Sequence, residues 1–376
     1  MTPTKPLKIV LVAGARPNFM KVGPLVNAMK GSTLLEPYLV HTGQHYDREM
    51  SQLFFDELHL PEPDRSLGIG SGSHAQQTAR IMESFETVLL EEKPAAVVLV
   101  GDVNSTVAGA LVASKLRIPV AHVEAGLRSY DRTMPEEINR IVTDQLSDWL
   151  FIPSMEAEDN LLKEGIAKSR IYFVGNIMID TLVRFLPLTD TAQILKQLGL
   201  DAGSYTLVTL HRPSNVDEPD RLDGILEALA AVAAEIPVVF PVHPRTRSRI
   251  IDAGWEQRIE SLPGFRLLQP LGYLDFMALQ RHARLALTDS GGIQEETTHL
   301  RVPCLTFRPN TERPITISMG TNRLLGEDPR KILPAVREIL KQPYPPQAED
   351  PPLWDGKTAP RIVKVLEESL AGSGGN

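Results

Sequence analysis

Short apolar runs rich in Val and Ile recur along the chain, each closed by a turn signal and followed by a segment with helical spacing of its apolar positions. The first set is Lys8 to Ala13, Tyr38 to His41, Ala96 to Val100, Pro119 to Val123 and Trp149 to Ile152. Runs of this length without polar alternation read as strands buried on both faces. Between them, Asn18 to Met29, His74 to Leu90, Ser105 to Lys115 and Pro135 to Leu146 pair an apolar stripe with a polar face, the pattern of crossover helices. Strands alternating with helices predict a parallel sheet.

The pattern restarts after a weakly apolar stretch around Leu186 to Asp201, with strands at Tyr205 to Leu210, Val238 to Val242, Phe265 to Leu268, Leu285 to Thr288 and Val302 to Phe307. The expected architecture is therefore α/β, with two Rossmann-like lobes, each on a parallel sheet, and an interdomain cleft. Residues 1–185 form the first lobe, 186–355 the second, and 356–376 a C-terminal helix, patterned from Arg361 to Leu370, with a disordered tail. The spacing does not say which lobe that helix packs on. At 376 residues the chain exceeds what one hydrophobic core usually serves, which agrees with two lobes.

A formal net charge of -8 argues against a broad nucleic-acid surface, which needs clustered Lys and Arg. Any anion must meet a local pocket. The N-terminus lacks the apolar core and cleavage site of a secretory signal, and no stretch is long enough to span a bilayer, so a cytoplasmic enzyme is expected. The single cysteine, Cys304, lies in an apolar run and reads as a buried core thiol rather than a nucleophile.

In open parallel sheets ligands bind beyond the carboxyl ends of the strands, which directs attention to six segments. Gly14 to Lys21 is a strand-to-helix turn carrying Arg16 and Lys21; it suits an anion at a helix N-terminus but equally a solvated surface, and it is neither a Walker loop nor a dinucleotide fingerprint. Gly101 to Thr106 places Asp102 at a strand end, with Asn104 or Ser105 available to cap the next helix. Glu124 closes an almost wholly apolar strand, so it needs either a basic partner or a raised pKa. Glu136 and Glu137 follow Pro135 at a helix start, where acids are also favoured by the dipole alone. His211 and Arg212, and His243 after the next strand, stand where they can pair with a diphosphate; no spaced His or Cys cluster supports a metal. Thr288 to Glu296 combines Ser290, Gly291 and Gly292, which let a phosphate approach helix amides, with Glu295 and Glu296 one turn in, where a carboxylate can reach ribose hydroxyls.

Together these segments resemble the UDP-N-acetylglucosamine 2-epimerases. The matching motifs are Gly-Ala-Arg-Pro, His-Thr-Gly-Gln-His, Gly-Asp-Val-Asn-Ser-Thr, His-Val-Glu-Ala-Gly-Leu-Arg-Ser, Pro-Glu-Glu-Ile-Asn-Arg, Asp-Ser-Gly-Gly-Ile-Gln-Glu-Glu and Thr-Glu-Arg-Pro. The resemblance runs from Lys8 to about Leu340. It implies the two-lobed GT-B fold and reversible epimerisation at C2 of UDP-N-acetylglucosamine to UDP-N-acetylmannosamine, by elimination of UDP to 2-acetamidoglucal and re-addition, without metal or nicotinamide. It implies Asp102, Glu124 and Glu136 as the acid and base carboxylates, with His211 at the leaving diphosphate. Arg16, Lys21, Ser290, Gly291, Gly292 and Arg313 then hold phosphates, Glu296 meets the ribose, and the Leu271 to Phe276 segment resembles a uracil-contacting loop.

Three carboxylates in one closed pocket imply that at least one carries a proton at neutral pH. Gln44 and His45 resemble part of a second, activating UDP-N-acetylglucosamine site of the non-hydrolysing branch, which also implies a homodimer. Gln76 falls in a loop, Gly70 to Thr78, that departs from the family's usual Met-x-x-x-Gln-Thr stretch, and Ile315 stands where a glutamate is frequent. The alternatives are a hydrolysing 2-epimerase that releases free N-acetylmannosamine and UDP, a glycosyltransferase of the same fold, and a catalytically silent sugar-nucleotide sensor.

Overall fold

A computed structural model describes residues 5–43, 62–191, 193–346 and 349–372. The first parallel sheet contains β1 (Leu7–Ala13), β2 (Leu35–His41), β3 (Arg65–Ser66), β4 (Ala96–Val100), β5 (Val120–Val123), β6 (Trp149–Ile152) and β7 (Ile171–Phe173), in the order β3-β2-β1-β4-β5-β6-β7. The second contains β8 (Thr206–Thr209), β9 (Val238–Pro241), β10 (Phe265–Leu268), β11 (Leu285–Thr288), β12 (Cys304–Thr306) and β13 (Asn322–Leu324), in the order β10-β9-β8-β11-β12-β13. The expected α/β class with two parallel sheets is what the chain adopts.

Every residue of β4 is buried, because helices cover both faces of the sheet and leave no polar side to the strand. The structure adds β3, β7 and β13, edge strands of two or three residues, too short to carry a periodic signal. In each sheet the winding direction reverses once, between β1 and β4 and between β8 and β11. At such switch points the loops after adjacent strands diverge and leave room for a ligand. The turns that follow these four strands are Gly14 to Lys21, Gly101 to Thr106, Leu210 to Asn215 and Asp289 to Gly292.

Contacts gather the chain into two compact units, Met1–Arg184 with Pro352–Asn376, and Phe185–Pro351. The final helix, Thr358–Gly372, packs on the helix Arg16–Lys30 of the first unit. Asp180 fixes its start: the carboxylate accepts hydrogen bonds from Thr358 N at 3.0 Å and Ala359 N at 2.7 Å, meeting two helix amides that have no partner within the helix. Cys304 is buried on β12, and burial pushes its thiol up to about 11, as expected of a core residue. Among the described residues no helix is long and apolar enough to cross a membrane.

Asp180→Ala should leave those two amides unmet and lower the unfolding free energy of the first unit by about 1–3 kcal/mol. Denaturant titration followed by circular dichroism reads the change, and an unmoved transition would show that the contact contributes nothing.

Candidate active site

In the first unit, Asn18 ties two turns together. Its side-chain oxygen accepts from Gly14 N at 3.2 Å and Ala15 N at 2.9 Å, and its amide donates to Val100 O at 3.0 Å. Arg16 opens the helix Arg16–Lys30, and Lys21 lies one turn later. The Lys21 ammonium pairs with Glu124 Oε2, and the two residues are only 7% and 4% exposed. Of the two possibilities for Glu124, a basic partner or a raised pKa, the structure shows the basic partner. Lys21, expected at a phosphate, is engaged with this carboxylate.

Glu124 has a backbone φ of 72°, a left-handed conformation that costs a side-chain-bearing residue about 1–3 kcal/mol and persists where surrounding contacts enforce it. Its N–H and that of Ala125 both donate to Phe151 O at 3.1 Å. Glu124 Oε1 is buried with no hydrogen-bond partner. Gly101, at φ 68°, gives this pair its space, since a Cβ there would lie 3.1 Å from Lys21 Nζ and 3.7 Å from Glu124 Oε2.

Asp102 pairs with the buried Arg140 at 2.5 Å. Arg140 also grips Glu137 Oε2 at 2.6 Å. Glu137 itself is buried and accepts from Ser129 N, Ser129 Oγ and Tyr130 N, each at 2.9 Å. Burial pushes the Glu137 carboxyl up, but these donors and Arg140 outweigh it and hold it below the usual range. Glu137 is therefore more than an acid favoured by a helix dipole: it clamps the loop that follows Glu124. Glu136, its neighbour, is half-buried and lines a cavity of about 290 Å³ with Asp102, Asn104, His74, Gln77 and Asn139. Asp102 and Glu136 thus share a wall, whereas Glu124 sits apart from it with its own cation.

Neither Asn104 nor Ser105 caps its helix. Val103 occupies the N-cap without a side-chain bond. Asn104 instead donates to Gln77 Oε1 at 2.8 Å and meets His74 Nδ1 at 3.2 Å, and Ser105 Oγ bonds Thr42 Oγ1 at 2.8 Å. Gln76 forms a capping box with Ser73, each bonding the other's backbone N–H at 3.3 Å, which accounts for the residue in structural terms. The next residue, Gln77, is the one that lines the cavity. Gln44 and His45 lie outside the described residues.

In the second unit the organising group is Asp289, the first residue of the Asp-Ser-Gly-Gly motif, for which the sequence pattern indicates no role. It is fully buried and accepts from His211 N at 3.1 Å, Arg212 N at 2.9 Å and Asn215 Nδ2 at 3.0 Å, while His211 Nδ1 lies 3.0 Å away. Burial pushes its carboxyl up, but His211 and the other donors outweigh that and hold it below the usual carboxylate value. Arg212 Nε donates to the Asp289 carbonyl at 3.0 Å, so His211 and Arg212 are drawn to the turn that carries Ser290, Gly291 and Gly292. Ser290 is the N-cap of the helix Gly291–Leu300 and leaves its first amides without a side-chain cap.

Arg313, expected at a phosphate, packs over that helix start. Its Nε lies 2.8 Å from Glu295 Oε1, and it also pairs with Glu312, which takes Arg308 Nη2 at 2.7 Å. A Cβ on Gly291 would lie 2.4 Å from Arg313 Nη1, so the glycine is what admits the guanidinium. Glu296 is buried, and burial, reinforced by the charge of Glu295, pushes its carboxyl up to about 7. Phe276 packs against the core from the helix Tyr273–His282. His243 is exposed and caps the helix Pro244–Asp252, its Nδ1 accepting from Arg245 N at 3.3 Å. Among the described residues no group of three or more His, Cys, Asp and Glu is arranged to hold a metal ion.

The UDP-N-acetylglucosamine 2-epimerase family model matches residues 27–367. A UDP-N-acetylglucosamine 2-epimerase of Methanocaldococcus jannaschii is 42% identical over 366 residues, covering 96% of this chain and 99% of that protein. A UDP-2,3-diacetamido-2,3-dideoxy-D-glucuronate 2-epimerase of Pseudomonas aeruginosa is also 42% identical, over 365 residues, with the same coverage of 96% and 99%. The crystal structure of the M. jannaschii enzyme in complex with UDP-GlcNAc and UDP superposes with a TM-score of 0.88, covering 96% of this chain and 100% of that one. On the extent of these matches, and on motifs that fall at the turns just described, the chain belongs to the UDP-N-acetylglucosamine 2-epimerase family.

Proposed function

We propose that this chain interconverts UDP-N-acetylglucosamine and UDP-N-acetylmannosamine without hydrolysis. The observation that carries the proposal is Glu124: a carboxylate buried beyond a strand, strained at φ 72°, with one oxygen on Lys21 and the other buried without a hydrogen-bond partner. An unmet buried acceptor costs about 1–3 kcal/mol. Its retention makes sense where a substrate proton completes it.

In the proposed reaction a carboxylate takes the proton from C2 as the C1–O bond breaks. The electron pair of the C–H bond becomes the second C1–C2 bond, and UDP departs with the electrons of C1–O. Re-addition reverses these steps, with the proton returned on the opposite face of C2. Asp102, Glu124 and Glu136 are proposed as the proton-transfer groups; Arg140 beside Asp102 and Lys21 beside Glu124 offset the charge of those two carboxylates. The diphosphate is assigned to the second unit. There Asp289 holds His211 and Arg212 at the turn of Ser290, Gly291 and Gly292, and the open amides of the following helix favour an anion. Retaining UDP on such groups distinguishes epimerisation from hydrolysis, because a departing diphosphate that stays bound can re-add. Arg16, His243, Phe276, Glu296 and Arg313 are proposed to complete the nucleotide site. The second, activating site, with Gln44, His45 and Gln76, and the homodimer rest on the family resemblance, as does a cytoplasmic location.

Incubation with UDP-N-acetylglucosamine should yield a steady mixture with UDP-N-acetylmannosamine, resolved by anion-exchange chromatography. Accumulating free N-acetylmannosamine and UDP would overturn the non-hydrolysing assignment. Turnover of the UDP-2,3-diacetamido-glucuronate substrate alone would overturn the substrate. Asp102→Asn and Glu124→Gln should each lower kcat about 10²–10⁴-fold, as expected for loss of a positioned acid or base, with UDP affinity by calorimetry little changed. Wild-type rates in both would remove the proton-transfer roles.

Glu296 gives a separate pH signature. With its carboxyl near 7 when folded and near 4.5 in the ordinary range, the folded chain holds a proton that the unfolded chain releases between those values. Stability therefore falls as pH rises through that window. Glu296→Gln carries no such titration, so the unfolding free energy of wild type relative to this variant should drop by about 3 kcal/mol from acid to neutral pH. Parallel pH profiles for the two proteins would contradict it.

A further inference from the structure

The turns that carry Asp102 and Glu124 are joined beneath the surface by a side chain that the proposed reaction does not use. His122, on β5, is fully buried, as is Asp144 on the helix Pro135–Leu146. His122 Nε2 lies 2.8 Å from Gly101 O, and Nδ1 lies 2.6 Å from Asp144 Oδ1. A carbonyl oxygen only accepts, so Nε2 donates to Gly101 O, and Nδ1 stands against the Asp144 carboxylate. Asp144 Oδ2 then accepts from Gly126 N at 3.1 Å and from Arg128 Nη2 at 2.7 Å. Arg128 continues to Glu164, at 2.7 and 2.8 Å. Burial pushes the Asp144 carboxyl up, but His122 and Arg128 outweigh it and hold it below the usual value.

The chain of contacts therefore begins at the carbonyl immediately before Asp102 and ends at the amide two residues after Glu124. Replacing a buried ionic chain by apolar packing is often neutral or stabilising, so stability alone is a weak reason for it. Geometry is a better one, because two left-handed residues, Gly101 and Glu124, follow neighbouring strands and must keep a fixed separation for their carboxylates to act on one ring.

We propose that His122 and Asp144 are positioning residues that hold the Gly101–Asp102 and Glu124–Gly126 turns in register for proton transfer. The inference rests on the proposed roles of Asp102 and Glu124. Its test separates the two ends of the imidazole. His122→Asn keeps a donor where Nδ1 meets Asp144 and loses the one to Gly101, whereas His122→Gln keeps a donor near Gly101. A displacement of about 1 Å at a reacting group costs roughly 10²-fold, so His122→Asn should lose about that factor in kcat on UDP-N-acetylglucosamine, with His122→Gln recovering about tenfold of it. UDP affinity should stay within about twofold for both, since the groups moved face the sugar ring rather than the diphosphate.

Asp144→Asn, which preserves shape, is the second variant should either histidine substitution prevent folding, and a loss of about tenfold in kcat at unchanged UDP affinity is expected of it too. Wild-type kcat per folded molecule in the variants that fold overturns the inference, as does a loss confined to UDP affinity. Asp102→Asn and Glu124→Gln are assayed alongside. If those two turn over normally, the reading of the carboxylates fails. If they are inactive while the His122 and Asp144 variants are normal, only the positioning inference fails.

Discussion

A charge taken out of water must be met by another charge or by donors, and the cost of failing to do so is several kcal/mol. Much of the first unit's site follows from that constraint acting at strand ends. Glu124 is buried because β5 and β6 are buried, and Lys21 from the turn after β1 is the group that answers it. Bringing Lys21 there needs the space that Gly101 leaves after β4, so three turns on three strands are fitted around one ion pair. Arg140 answers Asp102 and Glu137 in the same way. What these matches leave over is one carboxylate oxygen on Glu124, and a half-buried Glu136 beside Asp102 on the cavity wall.

The second unit uses the same constraint to a different end. Asp289 also stands at a strand end and is also buried, yet both of its oxygens are taken up by donors from His211, Arg212 and Asn215. Its carboxylate therefore serves as scaffold. It draws one strand's turn onto the next at the point where the sheet reverses direction, and leaves the histidine and the helix amides facing outward.

The sequence was informative wherever the physics is local. Val- and Ile-rich runs with no polar face located ten of the strands, because a strand covered on both sides has no reason to alternate, and the strand-end rule directed attention to all four switch-point turns. It was uninformative wherever a partner comes from far along the chain. Nothing in the spacing around Asn104 says that Gln77 will take its amide in place of a capping role. Glu137 reads as a helix-start acid because its three donors lie seven or eight residues upstream in a loop, and the burial of Asp289 and His122 is not visible in the spacing of the motifs that contain them. The edge strands β3, β7 and β13 escaped for a simpler reason: two or three residues cannot display a period.

In the proposed reaction a proton leaves C2 of the sugar for a carboxylate of the first unit and returns from solvent-exchangeable stock. Turnover of UDP-N-acetylglucosamine in deuterium oxide, followed by mass spectrometry and proton NMR of the recovered sugar nucleotides, tests it most directly. Wild-type protein should place a single deuterium at C2 of both epimers, and Glu124→Gln should introduce it about 10²–10⁴-fold more slowly. Epimers formed without deuterium, or labelled equally by the variant, would contradict it.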